Sequence, residues 1–171
     1  MNYNFRKAQS SEADLIWSIL QQAIIRRKLD GSQQWQDGYP NLEFVKKDIE
    51  KGVGYVLTEN NVIIGYASIV FNNEPAYDKL NGKWLTNSDF VVLHRLAIAG
   101  SHLGKGLAQK ILLYTEELAL QNNIFSIKVD TNFDNIPMLK IFEKLNYVYC
   151  GEVEFRGGKR KAFEKIVHKN A

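Results

Sequence analysis

Residues 90–119 read FVVLHRLAIAGSHLGKGLAQKILLYTEELA, and this stretch decides the fold of the chain. Its first nine residues are apolar and rich in β-branched side chains, which predicts a buried strand interrupted by His94 and Arg95. From Leu107 onwards, apolar residues recur at helical spacing. The segment between them contains Gly100, Gly104 and Gly106. The stretch therefore predicts a strand, a glycine loop and a helix.

A glycine loop in this position is suited to hold an anion. Glycines allow backbone N–H groups to point outward without obstruction from Cβ atoms. The first turn of the following helix adds free N–H donors and a partial positive charge, and Lys105 adds a mobile cation. The simpler alternative is a tight strand-to-helix connection with no ligand. Neither the Walker pattern GxxxxGK[ST] nor the dinucleotide pattern GxGxxG is present.

The length and composition of the chain indicate one soluble globular domain. With 171 residues, of which 45% are hydrophobic and 24% charged, it can bury one core but not two, so we expect a single domain over residues 1–171. No apolar run approaches the roughly 20 residues needed to cross a bilayer, and residues 1–10 lack a signal-peptide core. We therefore expect a cytoplasmic protein without a membrane partner.

The charged residues and the single cysteine exclude further classes. The 22 basic and 19 acidic residues give a net charge of +3, which is too balanced to indicate nucleic-acid binding. One cysteine, Cys150, cannot form an internal disulfide or, alone, a thiolate metal site, and we expect no metal.

Along the chain, the predicted order of elements is β-α-α-β-β-β-α-β-α-β-β. Between the first two helices, residues 30–41 read DGSQQWQDGYPN, a turn-rich loop with two large rings, Trp35 and Tyr39. These rings either line a substrate pocket or fill the core, and the sequence favours neither. Residues 72–89 are polar and predict a long surface connection, and residues 156–158 predict a glycine hairpin between the last two strands.

Two motifs and the element order resemble the GNAT superfamily of acetyl-CoA-dependent N-acetyltransferases. In that family a central strand is followed by [Q/R]-x-x-G-x-[G/A], and residues 103–108, LGKGLA, are similar to the later positions of this pattern, with Leu103 replacing Gln or Arg. Residues 130–147, DTNFDNIPMLKIFEKLNY, are similar to the family's strand-Asn-helix segment, which ends in a form like YEKLGF. The resemblance covers essentially the whole chain.

The resemblance implies a fold, a donor and a reaction. The fold is of the α/β (α+β) class, a single domain with a mixed sheet of about six to seven strands, two of them splayed, and about four flanking helices. The donor is acetyl-CoA, and the acceptor is a primary amine of a small molecule or a peptide, which attacks directly in a ternary complex. The alternative is a non-catalytic acyl-CoA-binding or regulatory module. The protein is expected to be a monomer or a homodimer.

The resemblance also assigns cofactor contacts residue by residue. Backbone amides of the glycine loop would hold the pyrophosphate, and the end of the preceding strand would pair with the pantetheine arm. Asn135 matches an asparagine that bonds to this arm, although an asparagine is also common at helix starts. The full set is Leu96, Ile98, Leu103, Gly104, Lys105, Gly106, Leu107, Ala108, Asn135 and Phe142.

The catalytic residues are less well defined. The backbone N–H of Ile98 is expected to polarise the thioester carbonyl. Val92 stands where some relatives carry a glutamate base, which leaves His94 as the candidate base, the alternative being a hydrogen-bonded core histidine. Phe142 replaces the tyrosine that serves many relatives as the acid. Either Tyr147 takes over this role or the thiolate leaves unassisted.

Overall fold

The computed structural model describes residues 1–156 and 158–169. Gly157 of the predicted glycine hairpin lies outside the described residues. Helices form where the sequence shows helical spacing of apolar residues, and short 3-10 segments lie at Ser10–Glu12, Pro75–Lys79 and Gly100–His102. The α-helices are α1 (Ala13–Leu29), α2 (Leu42–Glu50), α3 (Leu107–Gln121) and α4 (Ile136–Lys144).

Eight strands form a mixed sheet in the order β1-β2-β3-β5-β6-β8-β7-β4. The strands are β1 (Tyr3–Lys7), β2 (Gly54–Glu59), β3 (Val62–Phe71), β4 (Asn81–Gly82), β5 (Val91–Ile98), β6 (Ser126–Asn132), β7 (Val148–Phe155) and β8 (Gly158–Ile166). The predicted mixed α/β class and the four helices are confirmed. The predicted number of strands was slightly low because the two-residue strand β4 lies in the polar connection and shows no apolar alternation.

The chain divides into two compact units. Unit 1 comprises Met1–Ile69 and His94–Tyr114, and unit 2 comprises Val70–Leu93 and Thr115–Ala171. The expectation of a single domain over residues 1–171 stays a prediction. Among the described residues, the structure contains no helix with the length and apolar character to cross a membrane.

The core of unit 1 lies between α1 and the strands. Every third or fourth residue of α1 is buried, because apolar side chains at that spacing share one face of a helix. Ile16 and Leu20 are fully buried, and they belong to the same core as Val56 and Tyr66 of the strands. This packing places α1 against the end of β5, where the glycine loop begins.

In unit 2, a buried carboxylate holds the long connection before β5. Glu164 of β8 is fully buried, and its carboxylate accepts hydrogen bonds from the backbone N–H of Leu85 (2.6 Å) and Thr86 (3.3 Å). The hydroxyls of Thr86 and Ser126 donate to its other oxygen, each at 2.6 Å. A buried charge requires such partners, so Glu164 fixes the middle of the connection to β8.

The ladder between β5 and β6 is short. It joins Val91 to Ile127 and Val92 to Lys128 in parallel, whereas the antiparallel ladder of β6 with β8 runs along all of Ser126–Asn132. A parallel ladder that stops after two residues is what the predicted splay of the two central strands requires.

Candidate functional site

Two polar side chains of α1 fix the end of β5. The guanidinium of Arg26 donates to the carbonyl of Ile98 at 2.7 Å, and the side-chain oxygen of Gln22 accepts from the backbone N–H of Gly100, also at 2.7 Å. Gln22 and Arg26 are four residues apart and therefore share one face of the helix. The strand end and the start of the glycine loop are thus held by α1.

The glycine loop has a backbone conformation that other residues rarely adopt. Gly104 has a φ of +76° and Gly106 a φ of +69°. A Cβ atom added at either glycine would meet nothing within 4 Å. Glycine is therefore needed here for its positive φ and its uncovered backbone, and not because a neighbour packs against it. Helix α3 begins at Leu107, so its first N–H groups follow directly from the loop.

The remaining loop residues agree with an exposed anion site. Leu103 and Lys105 are exposed, Ala108 is half-buried, and Leu107 packs into the core, where it anchors the start of α3. These six consecutive residues, 103–108, present backbone amides and one mobile cation at a helix start. This is the geometry that binds a phosphate or pyrophosphate.

A histidine and a glutamate brace the loop from β2. Nε2 of His102 lies 2.8 Å from Oε2 of Glu59, and the hydroxyl of Ser101 lies 2.7 Å from the other ring nitrogen. The hydrogen bond from His102 lowers the pKa of Glu59, and the charge of Lys105 contributes in the same direction. The loop therefore has a polar attachment in addition to its helix.

Arg95 interrupts the regular geometry of β5. Its φ is +53°, an uncommon value for a residue other than glycine, and such a residue breaks the alternation of side chains along a strand. Ala97 and Ala99 belong to the core with α1, whereas the side chain of Ile98 lies on the face that α3 covers, next to Ile111.

The predicted contact residues of β5 lie at this strand end. The N–H of Ala99 donates to the carbonyl of Ile64 in β3, so the N–H of Ile98 points away from β3, as alternation along a strand requires. This direction leaves the N–H of Ile98 available for the expected contact with the thioester carbonyl of the donor. Leu96 and His94 are half-buried.

In unit 2, a cation lies beside the position of the missing glutamate. Lys128 is the strand neighbour of Val92 and is 4% exposed. Its ammonium lies 4.4 Å from the ring centre of Trp84 and 4.2 Å from that of Phe90, and burial lowers its pKa. No sequence pattern singled out this lysine, although a lysine between Ile127 and Val129 is a visible irregularity. The strand neighbour of Val92 is therefore a buried lysine whose pKa is lowered by burial, and not a carboxylate.

The other predicted residues of unit 2 lie at α4 and after it. Asn135 is buried, and its side-chain oxygen accepts from the N–H of Met138 at 3.3 Å, so Asn135 is the N-cap of α4. Phe142 is buried against the ring of Tyr147 at 5.5 Å.

The hydroxyl of Tyr147 is buried and has no hydrogen-bond partner among the described residues. Burial raises the pKa of Tyr147 well above its usual value, with a smaller contribution from Glu116. A phenol in this environment is a weaker acid than one in water. These properties count against Tyr147 as the group that protonates a leaving thiolate.

The loop of residues 30–41 contains both rings that the sequence singled out. Trp35 is half-buried and packs against the core of unit 1, so it fills the core at least in part. Tyr39 is also half-buried, and its ring meets that of Phe44 edge-on at 4.8 Å. Its hydroxyl lies 2.6 Å from a guanidinium nitrogen of Arg95. The two rings therefore have different surroundings.

Arg95 and Asp48 form a buried ion pair that sequence reasoning missed. The Arg95 guanidinium donates two hydrogen bonds to the Asp48 carboxylate, at 2.9 and 2.6 Å, and a third to the hydroxyl of Ser68 at 3.1 Å. The hydroxyl of Tyr66 donates to Asp48 at 2.6 Å. Burial opposes the charge of Arg95, but Tyr39 and Asp48 outweigh it and raise the pKa of Arg95. The single local signal was a charged residue within an apolar strand.

The model of the Acetyltransferase (GNAT) family matches residues 17–147, which is most of the chain. The chain belongs to the GNAT acetyltransferase family. The resemblance stated from the sequence is confirmed, and with it the acetyltransferase class and acetyl-CoA as the acyl donor.

Solved structures of GNAT proteins share the fold. A GNAT-family acetyltransferase of Streptococcus agalactiae is 34% identical, with a TM-score of 0.89 over 98% of this chain and 96% of that one. The structure of yncA from Salmonella typhimurium, which contains its cofactor acetyl-CoA, is 17% identical, with a TM-score of 0.67 over 100% of this chain and 97% of that one. The second likeness shows the fold alone.

A curated relative is similar over a shorter region. Streptothricin acetyltransferase of Escherichia coli is 23% identical over 73 residues, which are 43% of this chain. The matched region spans 40% of the length of that relative. The GNAT family is therefore shown, whereas the acceptor and the roles of individual residues are matters for proposal.

Proposed function

We propose that this GNAT protein transfers the acetyl group of acetyl-CoA to a primary amine of a small molecule or peptide, by direct attack within a ternary complex. The observation that carries the proposal is the glycine loop, with two residues at positive φ, nothing packed over them, and the start of α3 directly behind. Such a loop binds the pyrophosphate of coenzyme A through backbone N–H groups and helix polarity.

The end of β5 supplies the remaining donor contact. The N–H of Ile98 points away from β3 and is proposed to donate to the thioester oxygen as negative charge develops there. Arg26 holds the carbonyl of the same residue at 2.7 Å and thereby fixes the orientation of this peptide. The contacts assigned to Leu96, Asn135 and Phe142 stay predictions.

The reaction requires a neutral amine. Its lone pair forms the new C–N bond, the C–S bond breaks, and coenzyme A leaves as a thiolate, while the amine loses one proton. His94 is the proposed acceptor of that proton, directly or through water. An imidazole is suited to this role because the unprotonated nitrogen of its neutral ring accepts a proton.

The leaving thiolate is proposed to depart without an acid. Phe142 cannot donate a proton, and the hydroxyl of Tyr147 is buried with a raised pKa. Thiolates are stable anions compared with alkoxides, so the C–S bond can break without prior protonation.

The acceptor is proposed to bind beside the loop of residues 30–41. Tyr39 is only half-buried, and its ring offers an aromatic surface for an apolar or cationic group. The relative from E. coli is named for streptothricin, so streptothricin is the first candidate acceptor to test.

The test is a screen for coenzyme A release from acetyl-CoA with streptothricin, polyamines, aminoglycosides, amino acids and peptide N-termini. Acetylation of any of these amines, identified by mass spectrometry, supports the proposal. Tight acetyl-CoA binding without release in the presence of every amine would contradict it and favour the non-catalytic acyl-CoA-binding alternative. Absence of acetyl-CoA binding would contradict the glycine-loop assignment itself.

A further inference from the structure

Arg95 combines two unusual properties, a strained backbone and a nearly saturated side chain. Its φ of +53° is unfavourable for a residue with a Cβ atom and persists only where surrounding contacts hold it. The Arg95 side chain is 9% exposed, and its guanidinium makes four hydrogen bonds to three residues of unit 1. The backbone strain and the contacts occur together in β5, three residues before the strand end that is proposed to carry the donor contact.

The four bonds have different purposes. Asp48 of α2 accepts two of them in a fork and is itself held by Tyr66, so this side of the network joins α2 to the sheet. Ser68 accepts one more from within the sheet. The fourth, from Nη1 to the Tyr39 hydroxyl at 2.6 Å, is the only one of the four that reaches the loop of residues 30–41.

The Tyr39 ring also packs against Phe44, in addition to the hydrogen bond at its hydroxyl. The guanidinium carbon of Arg95 lies 5.8 Å from the centre of the Tyr39 ring and 5.5 Å from that of Phe44, and the two rings meet at 85°. Because Asp48 neutralises Arg95, the loop is held by the cation without a net positive charge that would repel an ammonium acceptor.

We propose that Arg95 is a positioning residue for the acceptor amine. Its ion pair with Asp48 fixes the guanidinium in place. Its hydrogen bond to Tyr39 holds the 30–41 loop in the conformation that presents the Tyr39 ring to the acceptor. This inference rests on the proposed function, because that function identifies the ligand as an acceptor amine. The attachment of the 30–41 loop by Arg95 does not depend on any ligand.

The chain offers a matched pair of variants. Tyr39→Phe and Tyr66→Phe each remove one hydroxyl from the same network, and each hydroxyl makes a 2.6 Å bond to a charged partner. Only Tyr39 lies on the loop, so a general loss of stability predicts equal loosening of residues 30–41 in both variants, whereas attachment of the loop by Arg95 predicts an effect of Tyr39→Phe alone. Hydrogen exchange of residues 30–41, measured by mass spectrometry, reads the loop directly.

Tyr39→Phe should accelerate exchange of residues 30–41 by about tenfold, because a hydrogen bond to a charged group contributes at least that factor to a local opening equilibrium. Tyr66→Phe should leave exchange of this segment unchanged while lowering the thermal midpoint. Unchanged exchange in Tyr39→Phe, or equal acceleration in both variants, would overturn the proposal.

Arg95→Lys provides a second arm. A lysine keeps the charge beside Asp48 but lacks the fork that reaches Tyr39 at the same time, so the loop should exchange as in Tyr39→Phe. Wild-type exchange in a folded Arg95→Lys protein would contradict the positioning role. If this variant does not fold, the two tyrosine variants still decide the question.

The kinetic arm uses streptothricin and the other amines of the panel as probe acceptors. Tyr39→Phe should raise the KM for the acceptor by about tenfold and leave the KM for acetyl-CoA unchanged, whereas Tyr66→Phe should change neither. An equal rise in both KM values would overturn the assignment to the acceptor. If the wild-type protein acetylates no amine, the proposed function fails, while the exchange data still decide whether Arg95 holds the loop.

Discussion

The two loops of unit 1 that are proposed to bind the donor and the acceptor are built by opposite means. The glycine loop, residues 100–106, exposes its backbone, and no neighbour lies within 4 Å of a Cβ added at Gly104 or Gly106. The 30–41 loop is held by side chains, with Trp35 against the core and Tyr39 on the guanidinium of Arg95. One loop depends on the absence of side chains and the other on their contacts.

This difference determines which changes each loop tolerates. A backbone site keeps its geometry through most substitutions nearby but fails when a glycine at positive φ is replaced. A side-chain network depends on every partner, because a buried charge that loses its counter-ion is costly. Variants that separate stability from cofactor binding therefore test the comparison directly.

The largest effect is expected from Arg95→Met. The substitution leaves the Asp48 carboxylate buried without its counter-ion, and the free energy of unfolding should fall by about 3–5 kcal/mol. Urea denaturation followed by circular dichroism measures it. Lys46→Met is the control, since the Lys46–Glu43 pair is exposed and 3.9 Å apart, and its loss should cost less than about 0.5 kcal/mol. If both variants lowered the free energy of unfolding by the same amount, the view that side-chain contacts of Arg95 hold the 30–41 loop would be refuted.

Gly106→Val should act on binding instead of stability. A β-branched residue cannot adopt a φ of +69° without strain, so the loop should change shape and the Kd for acetyl-CoA should rise by about 100-fold, measured by calorimetry. Gly52→Val is the matched control because Gly52 has the same φ of +69° and lies outside the loop. If both variants bind acetyl-CoA like the wild type, the loop does not hold the pyrophosphate.

Tyr147→Phe tests a hydroxyl that, within residues 1–156 and 158–169, has no hydrogen-bond partner, in contrast to the hydroxyl of Tyr39. Removing a buried, unsatisfied hydroxyl should raise the free energy of unfolding by about 1 kcal/mol and leave the rate of coenzyme A release unchanged. Urea denaturation and a thiol-release assay measure the two quantities. A loss of turnover of tenfold or more would restore Tyr147 as the acid.

The smallest effect concerns the brace of the glycine loop. His102 lowers the pKa of Glu59, so the stabilisation is complete above the ordinary glutamate pKa and is lost as the pH falls through the lowered value. The Tm of the wild type should exceed that of Glu59→Gln at pH 6, and the difference should vanish once the pH has fallen below the lowered pKa of Glu59. A difference that is constant with pH would exclude ionisation of Glu59 as its source.

Much of the fold could be predicted from the sequence because the signals are local. Apolar spacing indicated the four helices, and the glycines indicated the loop between β5 and α3, since both signals depend on residues that are close in sequence. Strand β4 was missed because two residues carry no periodic pattern.

The network around Arg95 could not be predicted, because its partners are far away in sequence. Asp48 precedes Arg95 by 47 residues, and Tyr39 precedes Arg95 by 56 residues. No spacing rule joins residues that are so far apart. The positive φ of Arg95 is a second such property, because it is imposed by tertiary contacts and not by the residue type. The sequence could therefore identify Tyr39 as unusual, but not what holds it.

The buried carboxylate of Glu164 has a consequence for the order in which the chain folds during synthesis. Thr86, which it binds, leaves the ribosome 78 residues earlier. Until β8 has been made, the connection before β5 lacks this anchor and stays open to proteases and chaperones. Because such distant contacts form late, maturation of unit 2 is expected to be completed only after translation has passed Glu164.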